Sequence, residues 1–138
     1  MELNLIGLTS GLAVFSGIWF GHAVVRKIDS VSPSVKIPAV MFLIIGLSME
    51  AAALFSGNLY ATAILGILGM TFLWDSLEFY RQHKRVQIGH APANPRNPRH
   101  AEILANSDSA TRIDWLMREP TGCKVRSEEL RRLEEGNP

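Results

Sequence analysis

Glu50 is a lone carboxyl inside an apolar run, residues 37–55. A carboxyl within a membrane span costs on the order of 3 kcal/mol at the bilayer centre, so it turns toward protein or water. Gly46, Ala53 and Gly57 share its helical face, which points it inward. Counting depth from the outer end sets Thr9, Ser10 and Thr62 near its level. The expected chemistry is a small polar cluster, with Glu50 hydrogen-bonded to one or more of those hydroxyls. Such a group can anchor helices, contact a partner subunit, or pass a proton or cation. Transporters show several intramembrane polar groups or broken helices, so anchoring is the leading expectation.

His22 is the histidine placed within an apolar run, beside Gly21. A b-type haem wants two axial ligands, and His83, His90 and His100 all lie beyond the third run. The better reading is an interfacial histidine that snorkels toward Asp75 or a lipid phosphate. Asp75 and Glu78, three apart, could bind a cation but read better as an acidic helix surface beside basic residues. No phosphate loop, dinucleotide fingerprint, zinc-protease helix, hydrolase nucleophile elbow or Cys/His metal spacing occurs. No catalytic residue, metal or cofactor is assigned, and nothing supports an enzyme.

The elements that hold these residues follow from charge distribution. Of 14 Lys and Arg, residues 1–80 hold 3 and residues 81–138 hold 11. An apolar block thus precedes a polar tail, unlike a soluble domain with dispersed charge. One cysteine, Cys123, excludes an internal disulfide. Three apolar stretches stand out, residues 3–25, 37–55 and 59–80, the last continuing as helix to about 88. At about 1.5 Å per residue the first reaches about 34 Å, enough for a hydrocarbon core of about 30 Å. It lacks the basic start and small-residue cleavage site of a signal peptide. The expected fold is all-α, an integral membrane three-helix bundle.

Lys and Arg set the orientation. Arg26, Lys27 and Lys36 flank the first loop, and Arg81, Lys84, Arg85, Arg96 and Arg99 follow the third span. All fall on one side if the N-terminus is outside and the C-terminus cytoplasmic. Arg81, Lys84 and Arg85 suit anionic lipid. That segment is too short and too close to the membrane to argue for nucleic acid. Trp19, Phe20, Trp74 and Tyr80 fit an inner aromatic belt, and Tyr60 an outer one.

Helices in lipid associate through close packing rather than through hydrophobic burial. Gly7, Gly11, Gly17 and Gly21 in the first span, Gly46 in the second, and Gly66 and Gly69 in the third mark the expected contact faces. Ser56-Gly57-Asn58 makes a tight outer hairpin, and Gly89 is a stop for the third helix. Pro92, Pro95 and Pro98 then suggest an extended strap over residues 89–100, where Arg96 and Arg99 could hold a partner or lipid. Beyond it, residues 101–138 read as a short helical or partly disordered tail. A turn or two falls at residues 101–105. A helix capped by Asp108 or Ser109 carries Ile113, Leu116 and Met117. Pro120-Thr121-Gly122 breaks the chain, and a last helix starts at Ser127.

The glycine-rich first span ending at His22, the run LGILGMTFLW at residues 65–74, Glu78, and the Asn94-Pro95 and Asn97-Pro98 dipeptides resemble a bacterial family of small three-span membrane proteins. It is catalogued as domain of unknown function 4491, and the resemblance covers roughly residues 3–100. It implies a three-helix inner-membrane protein without an assigned activity, so no site residue carries over. The expectation is a non-enzymatic accessory or scaffolding subunit of an inner-membrane complex. Its partners would be the bilayer and either a membrane protein or further copies of itself. The alternatives are a small homo-oligomeric proton or ion conductor using Glu50, and a haem- or quinone-associated anchor using His22.

Overall fold

The computed structural model describes residues 4–117 and 126–135. Its helices are α1 (Ile6–Val31), α2 (Lys36–Phe55), α3 (Leu59–Gln87), α4 (Pro98–Asn106) and α5 (Ser127–Glu135), with a 3-10 turn at Trp115–Met117. No strand occurs among the described residues. The first three helices are long and apolar enough to cross a membrane.

α1 runs past the last apolar residue of its span, through Arg26, Lys27 and Asp29, to Val31. Pro33 ends it, because the residue before a proline is pushed out of helical geometry. Ser32 is accordingly extended, with ψ 128°. Pro38 sits in the first turn of α2, where a missing N–H costs little. Asn58 makes the tight hairpin into a helix start. Its side-chain oxygen accepts from the Tyr60 and Ala61 amides at 2.9 and 3.1 Å. The 29 residues of α3 extend about 43 Å at about 1.5 Å each, so its last turns protrude from the apolar layer.

α3 is the shared surface on which both α1 and α2 pack. α1 and α2 approach one another at the basic end, where Val25, Ala39, Phe42 and Phe79 form one buried cluster. The Phe42 ring lies 5.1 Å from both Phe72 and Phe79, edge-on to the latter.

The segment after α3 is folded where an extended strap was expected. Gly89 adopts φ +73°, which ends α3 and turns the chain back. Ala91 and Ala93 then pack with Val86 of α3 and Ile103 of α4. Asn97 caps α4 through the Arg99 amide at 3.1 Å, and Pro98 fills its first turn. Pro98 thus begins a helix and does not extend a polyproline strap.

The helix expected after Asp108 is also replaced. Ile113 is buried in irregular chain. Asp114 accepts from the Leu116 amide at 3.1 Å and pairs with Arg26 at 2.9 Å. Those bonds hold a single 3-10 turn in place of a longer helix. Pro120, Thr121 and Gly122 lie outside the described residues.

A Cβ at position 89 would collide with the Ser109 carbonyl oxygen, besides demanding a left-handed backbone. Gly89→Ala should therefore cost roughly 1–2 kcal/mol from the backbone alone. Hydrogen exchange of residues 98–106 should quicken while the spans stay protected.

Candidate functional site

Three places gather polar groups: the seam between α2 and α3, the basic end, and a groove between α1 and α3. In the seam, Glu50 lies against Gly69, with Oε1 buried and, among the described residues, without a hydrogen-bond partner. A Cβ at Gly69 would sit 2.9 Å from that oxygen. The expected polar cluster does not assemble. The Thr9 hydroxyl donates to the Leu5 carbonyl at 3.0 Å, and that of Thr62 to the Asn58 carbonyl at 3.0 Å. These hydroxyls are satisfied by backbone carbonyls, that of Thr62 also reaching Ser56 at 3.4 Å, and Ser10 makes no bond to Glu50. Depth counting aligned these residues in height without fixing their direction around the helix.

The glycines divide in the same way. A Cβ at Gly17 would meet Thr71 Oγ1 at 3.1 Å, and one at Gly46 the Leu73 side chain at 2.8 Å. Gly21 lies directly against the Asp75 carboxylate. Gly7, Gly11 and Gly66, expected at the same contacts, have nothing among the described residues within 4 Å of a Cβ position.

The basic end was not foreseen as a site. Asp29 is 1% exposed at the end of α1, and Arg99 reaches it from α4 with Nη2–Oδ1 at 2.7 Å. The same guanidinium donates to the Asp29 carbonyl at 2.7 Å, and its Nη1 to His83 Nδ1 at 2.6 Å. His100, 1% exposed, sets Nε2 3.3 Å from Asp29 Oδ2. Its Nδ1 accepts from the Asn94 amide at 3.0 Å, which leaves the proton on Nε2, facing that carboxylate.

Two asparagines complete the joint. Asn97 Nδ2 donates to the Asp29, Ser30 and Ser32 carbonyls at 3.3, 3.2 and 2.9 Å. Asn94 Nδ2 donates to the Ser30 carbonyl at 2.8 Å. These are the carbonyls that a helix end leaves without intrahelical partners.

Arg99, expected to meet lipid or a partner, is therefore an internal ion pair. Arg85 and Arg81 are partly engaged as well, at 2.6 and 3.6 Å from the buried Glu78 carboxylate. Arg81 also stacks on Trp74, 4.6 Å from the ring centroid. Lys84 and Arg96 are exposed. The signal for this joint lay in the paired Asn-Pro dipeptides, whose asparagines are helix-end residues by chemistry.

The third place is a groove of about 520 Å³ along α1 and α3, lined by Val14, Ile18, Met70 and Trp74 and ending at His22 and Asp75. Asp75 is 6% exposed.

The sequence pattern of one known family matches residues 4–97, and that family is described as a domain of unknown function (DUF4491). The chain belongs to this family. The matched DUF4491 region ends at Asn97, so it takes in the three spans, Asp29, His83 and both joint asparagines, and stops short of Arg99 and His100. No curated protein and no solved structure matches the chain.

Removing Arg99 would leave Asp29 buried without its cation, a loss of about 3–5 kcal/mol. Arg99→Ala should therefore release α4, read as loss of hydrogen-exchange protection across residues 98–106. Docking should also depend on pH. Burial, then the Arg99 guanidinium, holds His83, beyond the apolar part of α3, below the ordinary imidazole range. His100 adds to this, Asp29 opposes it, and Gln87 is the remaining polar neighbour. An undocked His83 binds protons more readily than a docked one, so docking weakens as pH falls below about 6.5. Protection of α4, corrected for intrinsic exchange, should fall between pH 7 and 5.5, and His83→Gln should flatten that slope.

Proposed function

We propose that this DUF4491 protein is a non-enzymatic accessory or scaffolding subunit of an inner-membrane complex, with its N-terminus outside and its C-terminus cytoplasmic. The observation that carries the reading is the open glycine face of α1. Among the described residues nothing lies within 4 Å of a Cβ position at Gly7 or Gly11, and the apolar windows of the three spans are only 17–28% buried. Small residues spaced by four gain in lipid chiefly when another helix lies against them. The partner is accordingly a transmembrane helix of another subunit. Arg96 and Lys84, both exposed at the basic end, offer a second contact to an acidic surface or to anionic lipid.

A second reading rests on Glu50. A buried carboxyl oxygen without a hydrogen bond is costly, and a proton or cation in transit would use it. Under that reading the protein is a homo-oligomer, and Glu50→Gln abolishes ion flux in liposomes without impairing insertion.

Native mass spectrometry of the gently extracted protein decides between them. The subunit reading expects a stoichiometric second protein, lost in the Gly7→Leu, Gly11→Leu double variant at unchanged helicity. A homo-oligomer alone moves weight to Glu50, and a bare monomer sinks both. Orientation is tested on the single cysteine. Cys123 should react with an impermeant maleimide in inverted vesicles and stay unlabelled in intact cells.

A further inference from the structure

The groove between α1 and α3 is apolar along its length and charged at one end. Val14, Ile18, Met70 and Trp74 line it and are 42%, 52%, 61% and 53% exposed, so it opens on the face turned to lipid. From Val14 to His22 it spans eight residues of α1, a rise of about 12 Å. It ends where α3 leaves its apolar run. There Trp74, with Arg81 stacked on its ring, marks the headgroup level.

At that end sits Asp75. Among the described residues its carboxylate accepts no hydrogen bond, and no Lys or Arg pairs with it. Arg81 and Arg85 pair instead with Glu78, Arg26 with Asp114 and Arg99 with Asp29. The side chain is nevertheless more than nine-tenths buried, aimed between the helices against Gly21. Its charged neighbours are His22 and Glu78, neither hydrogen-bonded to it, so a buried carboxylate here favours a donor with positive charge. His22, lining the same end, carries an imidazole N–H.

We infer that the groove binds a phospholipid bearing a primary ammonium headgroup, of the ethanolamine type. One acyl chain lies along Ile18 and Met70. The ammonium, with three N–H donors, pairs with Asp75, and the phosphate lies beside His22. Charge complementarity selects this occupant. A second helix of this chain would bring apolar side chains to the groove and leave Asp75 unpaired. The inference is independent of the subunit reading, because a partner helix on Gly7 and Gly11 approaches the opposite end of α1.

The full-length protein in detergent is titrated with phosphatidylethanolamine or with phosphatidylcholine of the same acyl chains, and bound lipid is counted by native mass spectrometry. The two headgroups differ in N–H donors but not in net charge. Retention of the ethanolamine lipid should exceed that of the choline lipid by about tenfold, the size of one charge-assisted hydrogen bond. Asp75→Asn should erase the preference at unchanged helicity. Met70→Trp, at an exposed position that the fold does not need, should fill the groove and lower retention of the ethanolamine lipid. Equal retention of both lipids by the wild type overturns the proposal. So does a preference that survives Asp75→Asn, retention unaffected by Met70→Trp, or a dimer that carries no lipid.

Discussion

Where α1 leaves the apolar layer, its last carbonyls have lost their helical partners while still packed against protein. The chain from Asn94 to His100 is arranged around meeting them. Asn94, Asn97 and Arg99 all donate to the carbonyls of Asp29, Ser30 or Ser32. Asn97 does two jobs with one amide, because its oxygen starts α4 while its nitrogen finishes α1. The dependence is mutual. α4 is a nine-residue helix, too short to hold itself in water, and it persists by docking on α3 and on the end of α1. The buried Asp29–Arg99 pair fixes the register of that docking more than it adds stability, since a buried ion pair barely repays its own desolvation.

Inside the membrane a different rule operates. Apolar side chains gain little by leaving lipid for protein, so the helices settle where they can approach closely. α3 provides the common surface, and each neighbour meets it at glycine. Both carboxyls of the apolar region follow one pattern. Glu50 of α2 rests on Gly69 of α3, and Asp75 of α3 rests on Gly21 of α1. A glycine gives each carboxyl the room to lie between helices and out of lipid. The glycines at these two points therefore accommodate a polar group besides shortening the distance between helix axes.

The spans were legible because composition alone fixes them: long uncharged runs admit few other structures. Their punctuation was legible too, with Gly57-Asn58 and Gly89 each ending or starting a helix for a local backbone reason. The joint at the basic end was not. Hydrophobicity stops at Val25, so residues 26–36 read as a loop, and nothing in the pattern singled out Asp29. Arg99 likewise read as a surface cation, since its partner lies seventy residues earlier in the chain. Helical spacing marked seven glycines as contacts, whereas among the described residues Gly17, Gly21, Gly46 and Gly69 meet another helix. Periodicity gives a face, and only packing says what the face meets.

The two ends of the molecule are built to different degrees of completion. At the basic end Phe42, Phe79 and Val25 close a core, and the returning segment satisfies the end of α1. Toward the other end α1 and α2 share little beyond their common neighbour, and Gly7, Gly11 and Gly66 stand open. A chain that needed only to fold would gain nothing from glycine there, because glycine costs about 1 kcal/mol relative to alanine inside a helix. That cost is offset only if something approaches the backbone closely. The proposed partner contact therefore falls on the N-terminal half of α1, away from the end that its own chain already finishes.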